Sequence, residues 1–448
     1  MIIASGADLE SMNSLVTTHP LAKQIQRYAL LMTLVRYDST LGVTPYLAKT
    51  WQWSRDSLVL TLTLRNDVKW HDGTSTTADD AAWTLEAARD PATGYPRLRD
   101  LGSLAETIAE NDTTLLLRFT TRQSHLSDVL ADLAILPSHL LREVPPSEMR
   151  RAPWNERPIG NGPFRFVRHE PNQSWTFEAN RDFPVALGGR PRLDRFVVAV
   201  VDEPMTKLAA LASAELDFAG IQPAHAEFVR HDPRLEVLEY PTLFSYVMVF
   251  NARRPPFDRP DVRRAMSIAI DRLALVSGVL FGFGTPAAGP LSRGLAGEAE
   301  SKPVYAPGRG RAMLGSRPLA FELLTVGSGE AALEQMIQQQ LARIGVTVTI
   351  RQLELATFLE RVYTAHDFDA AVTGISVDLE RGYLGSLFDL AGLSAPERSD
   401  RGLQAFADSV PATFLYHARG LQGMNRRVRD VRMDLRGELA TLPRWRVQ

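Results

Sequence analysis

The stretch from Tyr246 to Arg272 constrains the fold of this 448-residue chain more than any other segment. Its first part, Tyr246 to Phe250, is apolar and β-prone, which predicts a strand. The consecutive prolines Pro255 and Pro256 then force an extended connection. A helix is expected next, because Asp258 can cap it, a proline follows in the first turn, and apolar residues recur at helical spacing.

Length and composition exclude several classes of protein. A chain of 448 residues is too long for a single core, so about two or three domains are expected. The formal net charge of -2 argues against a nucleic-acid-binding protein. The absence of cysteine excludes disulfides, thiolate metal sites and cysteine nucleophiles. No apolar run reaches the roughly 20 residues of a membrane span, and the first residues lack the pattern of a signal peptide.

The segment PYLAKTWQWSRDSLVLTLTLRNDVKWHDGTSTTADD, residues 45 to 80, predicts a strand, a turn and a helix start. Alternate leucines from 58 to 64 are typical of a half-buried strand. Thr77 and Asp80 have the spacing of a capping box. The pair His71 and Asp72 resembles a metal or catalytic site, but no second histidine follows at a ligand spacing. We therefore interpret the pair as residues that shape the turn before the helix.

The segment PIGNGPFRFVRHEPNQSWTFEANRD, residues 158 to 182, predicts a glycine turn that leads into a hairpin. Gly160 and Gly162 permit a tight turn with close backbone approach. The two strands are expected at Phe164 to Val167 and Ser174 to Ala179. The turn lacks the spacing and the lysine of a phosphate-binding loop. Strands and helices then alternate along much of the remaining chain, which indicates an α/β fold with a mixed sheet.

These two segments, together with FNARRPPFDRPDVRRAMSIAIDR, resemble the extracytoplasmic solute-binding proteins of family 5, the peptide/nickel type of ABC importers. The resemblance implies an α/β, two-lobed periplasmic-binding-protein type II fold with an extra small domain on lobe one. Lobe one would comprise residues 1–37, 157–250 and 411–448, the small domain 38–156, and lobe two 251–410. Lobe two is expected to be shortened, because only a short polar run separates Leu387-Phe388 from Ala405-Phe406.

The resemblance also implies a ligand site at the end of a strand. Residues 374 to 378 occupy the position of a family W-x-x-D loop whose aspartate pairs with the ammonium of a peptide. Asp378 is the corresponding carboxylate, with Ser376 in the loop and Ile375 in place of the tryptophan. Arg381 is the candidate partner of a ligand carboxylate. A turn aspartate and a surface arginine are the structural alternatives.

Two further ligand contacts and a hinge follow from the same resemblance. Tyr246 corresponds to an aromatic residue that lines the first lobe, with a core or edge aromatic as the alternative. Asn13 belongs to a loop that borders the cleft. The expected hinge crossings contain Asn251, Pro255, Pro256, Phe414 and Tyr416.

The predicted function is the extracytoplasmic solute-binding component of an ABC importer. It would capture a peptide or similar small solute by hinge closure and deliver it to a membrane permease, as a monomer, without cofactor, resident metal, nucleic acid or chemistry on the ligand. Because the family is exported, we expect a truncated or mis-started N-terminus. Alternatives are a binder of a nickel-type metal chelate or haem, and a receptor or regulator without a transport role. An enzyme on this scaffold is disfavoured, because Gly-x-Ser-x-Gly, His-Glu-x-x-His and P-loop motifs are absent.

Overall fold

The computed structural model describes residues 1–291, 302–316, 318–376, 382–395 and 402–448. They divide into a first unit, Met1–Leu238 with Leu421–Gln448, and a second unit, Glu239–Gly420. The chain passes from the first unit to the second within the strand Leu235–Phe250. It returns within the strand Ala412–Asn425.

The main sheet of the first unit combines parallel and antiparallel strands. Ile2–Ser5 pairs in parallel with Arg195–Val200 and Phe218–Gly220, and the neighbouring pairs are antiparallel. In spatial order the strands are Phe164–Glu170, Ser174–Ala179, Arg195–Val200, Ile2–Ser5, Phe218–Gly220 and the end of Ala412–Asn425. The helices are Pro20–Ile25 with the π-turn Gln26–Leu30, Pro204–Ala212 and Ala226–His231.

The predicted small domain, residues 38–156, has a sheet of its own. Its antiparallel strands lie in the order Ala48–Trp53, Val59–Leu64, Thr114–Phe119 and Leu104–Asn111. The helix Ala78–Arg89 packs on this sheet, and its capping box of Thr77 and Asp80 is confirmed. The hydrophobic core of this region is continuous with that of the main sheet, so the contacts place both in one unit.

Shorter elements complete the first unit. Val35–Tyr37 pairs with Val43–Pro45, and Val428–Arg429 pairs with Arg446–Val447. The short helices are Val129–Asp132 and Ser138–Leu141. Single 3-10 turns occupy Pro91–Thr93, Leu98–Leu101, Pro146–Arg151, Pro153–Asn155, Val185–Leu187, Pro223–His225 and Leu442–Arg444.

The second unit is a mixed sheet with hydrophobic clusters on both faces. Val247 and Val249 belong to one cluster and Met248 and Phe250 to the other, as the alternation of a strand requires. The strands lie in the order Val346–Leu353, Leu319–Val326, Ala370–Ser376, Leu235–Phe250 and Ala412–Asn425, and Gly284–Pro286 pairs with the last. The helices are Pro260–Ala269, Arg272–Val279, Pro307–Leu314, Ala332–Ala342, Leu355–Leu359 with the π-turn Glu360–Thr364, Gly382–Ala391 and Gly402–Ser409.

The helix after the proline pair begins later than predicted. Its N-cap is Arg259, which makes no capping hydrogen bond through its side chain. Asp258 is not the cap, because its N–H donates to the Arg254 carbonyl in the preceding turn. The helix ends at Ala269, and the next one is capped by Asp271, whose carboxylate accepts from the Ala274 N–H at 3.0 Å.

The residues of the predicted hinge, Asn251, Pro255, Pro256, Phe414 and Tyr416, all lie in the second unit. Asn251 belongs to the second unit, where its side chain donates to the carbonyls of His366 and Phe368 at 3.0 and 2.8 Å. Phe414 and Tyr416 are buried in the same unit. The predicted boundaries at 250 and 411 lie at those ends of the two connecting strands that belong to the second unit. The chain changes units within the strands, between residues 238 and 239 and between residues 420 and 421.

The segment predicted to be shortened carries two helices among its described residues, Gly382–Ala391 and Gly402–Ser409. Within the described ranges, no helix has both the length and the apolar character that a membrane crossing requires.

Candidate functional site

Three of the predicted ligand-binding residues meet where the strand Ala370–Ser376 ends. This strand pairs antiparallel with Leu235–Phe250, so that Ser376 lies opposite Phe244 and Gly374 lies opposite Tyr246. Between them, Ile375 lies opposite Ser245. The structure thus brings Tyr246, Ile375 and Ser376 together, and we call this region of the second unit the sheet-end site.

The two sides of the sheet-end site differ, because successive side chains of a strand point to opposite faces. Phe244, Tyr246 and Ser376 share one face. Ile375 lies on the other face, where it packs partly buried against the cluster that contains Val247. Tyr246 and Ile375 therefore cannot line the same surface with their side chains.

Aromatic rings dominate the first face. The rings of Phe244 and Tyr246 meet edge to face, with centroids 5.6 Å apart and an interplanar angle of 81°. Tyr416 extends the group, with its ring centroid 5.0 Å from that of Tyr246. Gly374 leaves space for the Phe244 ring, because a Cβ at position 374 would lie 2.3 Å from the tip of that ring. Phe244 remains 38% exposed, so the aromatic surface is accessible.

The tyrosines of this face remain neutral near pH 7. Burial raises the pKa of Tyr246, and the nearby Glu334 carboxylate raises it further. Burial likewise raises the pKa of Tyr416, with smaller contributions from Tyr246 and Glu334. Glu334 is itself buried and accepts a hydrogen bond from the Thr325 hydroxyl at 2.7 Å. The hydroxyl groups therefore retain their protons as potential hydrogen-bond donors.

The remaining predicted ligand residues are not part of this group. Asp378 and Arg381 lie outside the described residues. Asn13 lies in the first unit and is fully buried. Its amide donates to the Asn155 side chain at 3.1 Å, and its oxygen accepts from the Leu15 N–H at 3.0 Å. The side chain thus holds the loop in place within its own unit.

His71 has the structural role that we inferred from its turn. Its Nε2 lies 3.0 Å from the Gly162 carbonyl, and burial lowers the pKa of the ring to about 4. A neutral imidazole therefore joins this turn to the glycine turn of residues 160 to 162. Among the described residues, no group of three or more histidine, cysteine, aspartate or glutamate side chains could hold a metal ion.

Two residues of the aromatic face were not predicted as ligand contacts. Phe244 precedes Tyr246 by two positions, so a strand pattern extended toward the N-terminus would have placed both on one face. Tyr416 was predicted only as a hinge residue. Its position beside Tyr246 depends on the neighbourhood of two strands that are distant in sequence.

Comparison with known proteins identifies the family. Residues 42–384 match the model of the bacterial extracellular solute-binding proteins, family 5. This match covers more than half of the chain, and the protein belongs to that family. The predicted family, its α/β type II fold and the role of solute-binding component of an ABC importer are therefore confirmed.

Relatives of this protein include binders of peptides. It is 30% identical over 380 residues to the di/tripeptide-binding protein 2 of Pseudomonas aeruginosa, covering 77% of this chain and 68% of that protein. It is 25% identical over 499 residues to the oligopeptide-binding protein AppA of Bacillus subtilis, covering 99% and 91%. The structure of that AppA in complex with a nonapeptide superposes with a TM-score of 0.78, covering 100% of this chain and 98% of the other.

A second solved structure shows the same fold with a different ligand. NikZ from Campylobacter jejuni, in complex with Ni(L-His), superposes with a TM-score of 0.80 over 99% of both chains. The identity is 20%, so this similarity concerns the fold alone.

Proposed function

We propose that this protein captures peptides outside the cytoplasm and delivers them to the permease of an ABC importer. The observation that carries the proposal is the similarity to a di/tripeptide-binding protein over 77% of the chain. The sheet-end site is consistent with it, because an accessible aromatic face lies beside the strand end that leads toward Asp378.

Peptide recognition at this site would combine backbone and side-chain contacts. An extended peptide forms main-chain hydrogen bonds to a strand end, and alternate side chains of the peptide then meet pockets or flat apolar surfaces. Phe244 and Tyr246 provide such an apolar surface. Asp378 would accept a charge-assisted hydrogen bond from the ammonium group of the peptide, and Arg381 would donate two hydrogen bonds to a carboxylate.

The proposed mechanism is capture by hinge closure without any covalent step. A ligand that makes more contacts in the closed form than in the open form shifts the equilibrium toward closure. The permease would then recognise the closed form. The protein is proposed to act as an extracytoplasmic monomer, in line with its membership of an extracellular family.

The test is calorimetric titration of the purified chain with a dipeptide, a tripeptide and a nonapeptide, each with a free and with an acetylated N-terminus. Asp378→Asn should weaken the binding of free peptides roughly 10- to 100-fold, because a hydrogen bond to a charged group contributes about 1.5–3 kcal/mol. It should change the binding of acetylated peptides much less. Asp408→Asn is the matched control, because Asp408 is exposed on another helix of the same unit.

Two results would count against the proposal in different ways. Equal binding of free peptides by Asp378→Asn and by the wild type would remove Asp378 from the site. Saturable binding of a nickel–histidine chelate together with no binding of any peptide would replace the peptide by a metal chelate. The described residues offer no group of three metal ligands, so such a chelate would have to bring most ligands itself.

A further inference from the structure

The aromatic face of the sheet-end site adjoins a buried carboxylate, that of Glu334. Thr325 shares a sheet face with Phe321, because the two residues are four positions apart on one strand. Tyr246 packs against the hydrophobic cluster that contains Phe321. Since the Thr325 hydroxyl donates to Oε1 of Glu334 at 2.7 Å, the carboxylate lies on the same face of the sheet as the Tyr246 ring.

The charge of Glu334 acts on both tyrosines of this face. Burial is the largest cause of the raised pKa values of Tyr246 and Tyr416, and the Glu334 carboxylate raises both further. Among the described residues, no lysine, arginine or histidine contributes to either shift. The carboxylate thus lies close to both rings, and we call Tyr246, Tyr416 and Glu334 the tyrosine–glutamate group.

The polar ends of the tyrosine–glutamate group are accessible. Tyr246 is half-buried, whereas Tyr416 and Glu334 are buried over most of their surface. What remains exposed includes the polar atoms. Oε2 of Glu334 and the two hydroxyl oxygens make no hydrogen bond within the described residues, and none of the three is enclosed. A ligand that packs on Phe244 and Tyr246 can therefore contact the carboxylate.

Two features favour a negative charge at Glu334. It is the third residue of the helix Ala332–Ala342, where the positive end of the helix dipole stabilises a carboxylate. The hydrogen bond from the Thr325 hydroxyl has the same effect, since a charged acceptor binds a donor more strongly than a neutral one. Burial of a charge still costs free energy unless a group of opposite charge is near. A ligand cation on the aromatic face would supply that group.

A carboxylate combined with aromatic rings is the chemistry that recognises an organic cation. A cation within about 6 Å of a tyrosine ring centre gains about 0.5–2 kcal/mol, with the larger value where water is excluded. A guanidinium suits such a site better than an ammonium group does. It is planar, stacks on aromatic rings and donates to a carboxylate through a fork of N–H groups. Among amino-acid side chains, this is the chemistry of arginine.

We propose that the tyrosine–glutamate group binds the arginine side chain of a peptide, with the guanidinium stacked on Tyr246 and donating to the Glu334 carboxylate. The inference rests on the proposed peptide function and adds to it the class of peptide that the sheet-end site prefers. It depends only on residues of the second unit. Asp378 would keep its separate role with the ammonium group of the peptide.

The test is calorimetric titration of the full chain with tripeptides that carry one arginine among alanines, at the first, second or third position. Each is compared with the same peptide carrying citrulline, in which a neutral urea group of nearly the same shape replaces the guanidinium. For at least one position the arginine peptide should bind roughly tenfold more tightly or better, because a hydrogen bond to a charged group contributes about 1.5–3 kcal/mol. Glu334→Gln keeps an acceptor for the Thr325 hydroxyl and should remove most of this preference. Glu360→Gln, the same exchange at an exposed position of the same unit, should leave the preference unchanged.

The outcomes distinguish this inference from the peptide function. Equal binding of the arginine and citrulline peptides at all positions, or a preference that persists in Glu334→Gln, would refute the cation site and leave the peptide function intact. Loss of the preference in Asp378→Asn but not in Glu334→Gln would assign the guanidinium to Asp378 and refute the proposal as well. The wild-type comparison needs no variant, so it decides the question even where Glu334→Gln lowers the melting temperature. Binding of none of the peptides would contradict the peptide function and this inference together.

Discussion

Substitution of Asp80 should lower the stability of the first unit more than most other single substitutions there. Asp80 is 3% exposed, and its two oxygens accept four hydrogen bonds. One oxygen accepts from the backbone N–H and the hydroxyl of Ser138 at 2.9 and 2.8 Å. The other accepts from the Thr77 N–H at 2.9 Å and from the Trp70 indole at 3.1 Å. One side chain thus joins a turn, the start of a helix and the beginning of another helix.

The substitution Asp80→Asn keeps the shape but replaces one oxygen by an NH₂ group. Oriented toward Thr77 and Trp70, this group faces two donors. Oriented toward Ser138, it faces one backbone N–H, because the Ser138 hydroxyl can donate to Asp79 at 3.0 Å and accept from the amide. At least one of the four hydrogen bonds is therefore lost, and at about 1.5–3 kcal/mol for each hydrogen bond to a charged acceptor the free energy of unfolding should fall by at least about 1.5–3 kcal/mol. A typical domain has a total stability of about 5–15 kcal/mol, so the variant should be strongly destabilised.

Tryptophan fluorescence during urea unfolding measures this effect in the correct part of the molecule. All 7 tryptophans belong to the first unit, and the signal therefore reports its unfolding. Asp79→Asn is the matched control on the same helical turn. Asp79 is half exposed and pairs with Arg142 at the surface. Loss of this ion pair in Asp79→Asn should therefore lower the free energy of unfolding by less than about 1 kcal/mol. A loss of less than about 1 kcal/mol for Asp80→Asn would refute the reasoning from four shared hydrogen bonds.

Two further predictions concern stability. The pKa of His71 is about 4 in the folded protein and 6.5 in the unfolded chain, so the neutral ring contributes fully to the free energy of unfolding above pH 6.5, and this contribution is lost as the pH falls toward 4. By linkage the contribution is at most about 3 kcal/mol. In His71→Gln the free energy of unfolding of the first unit, measured with urea, should therefore change less between pH 7 and 5 than in the wild type, and an unchanged pH dependence would contradict the pKa shift. Gly160→Ala should cost about 3 kcal/mol or more, because its Cβ would lie 2.0 Å from the Leu30 carbonyl oxygen, and an unaltered urea midpoint would disprove this contact. Gly308→Ala, in a helix with open space around it, should instead leave the calorimetric melting temperature unchanged or slightly raised.

Local patterns predicted those elements whose signals lie within a few residues. The strand Ser174–Ala179 has the predicted bounds, because turn residues flank a short β-prone run. The capping box at Thr77 and Asp80 is also local, since three positions of sequence determine it. The sequence did not reveal that Asp80 also accepts from Ser138, which is distant along the chain.

The position of the passages between the units could not be predicted from local sequence. The proline pair at 255 and 256 is a conspicuous break, and it suggested a crossing there. The structure assigns the residues on either side of this break to one unit, because 244–250 pair with 370–376 and Asn251 bonds to residues 366 and 368. Strand pairing over such separations depends on the complete fold, so a local break in the backbone is weak evidence for a boundary.

Side chains alternate between the two faces along the strand Ala370–Ser376, and this alternation determines which of them a ligand on one face of the sheet-end site could contact. Ile375 stands in place of the family tryptophan, and both Ile375 and Tyr246 were predicted as ligand contacts. The register places Ile375 opposite Ser245 and therefore on the face opposite Tyr246. A ligand on the aromatic face can meet Ile375 only through its backbone, whereas Ser376 presents its side chain directly. The specificity of that face should then depend on Phe244, Tyr246 and Ser376, and the identity of residue 375 should matter mainly for packing within the unit.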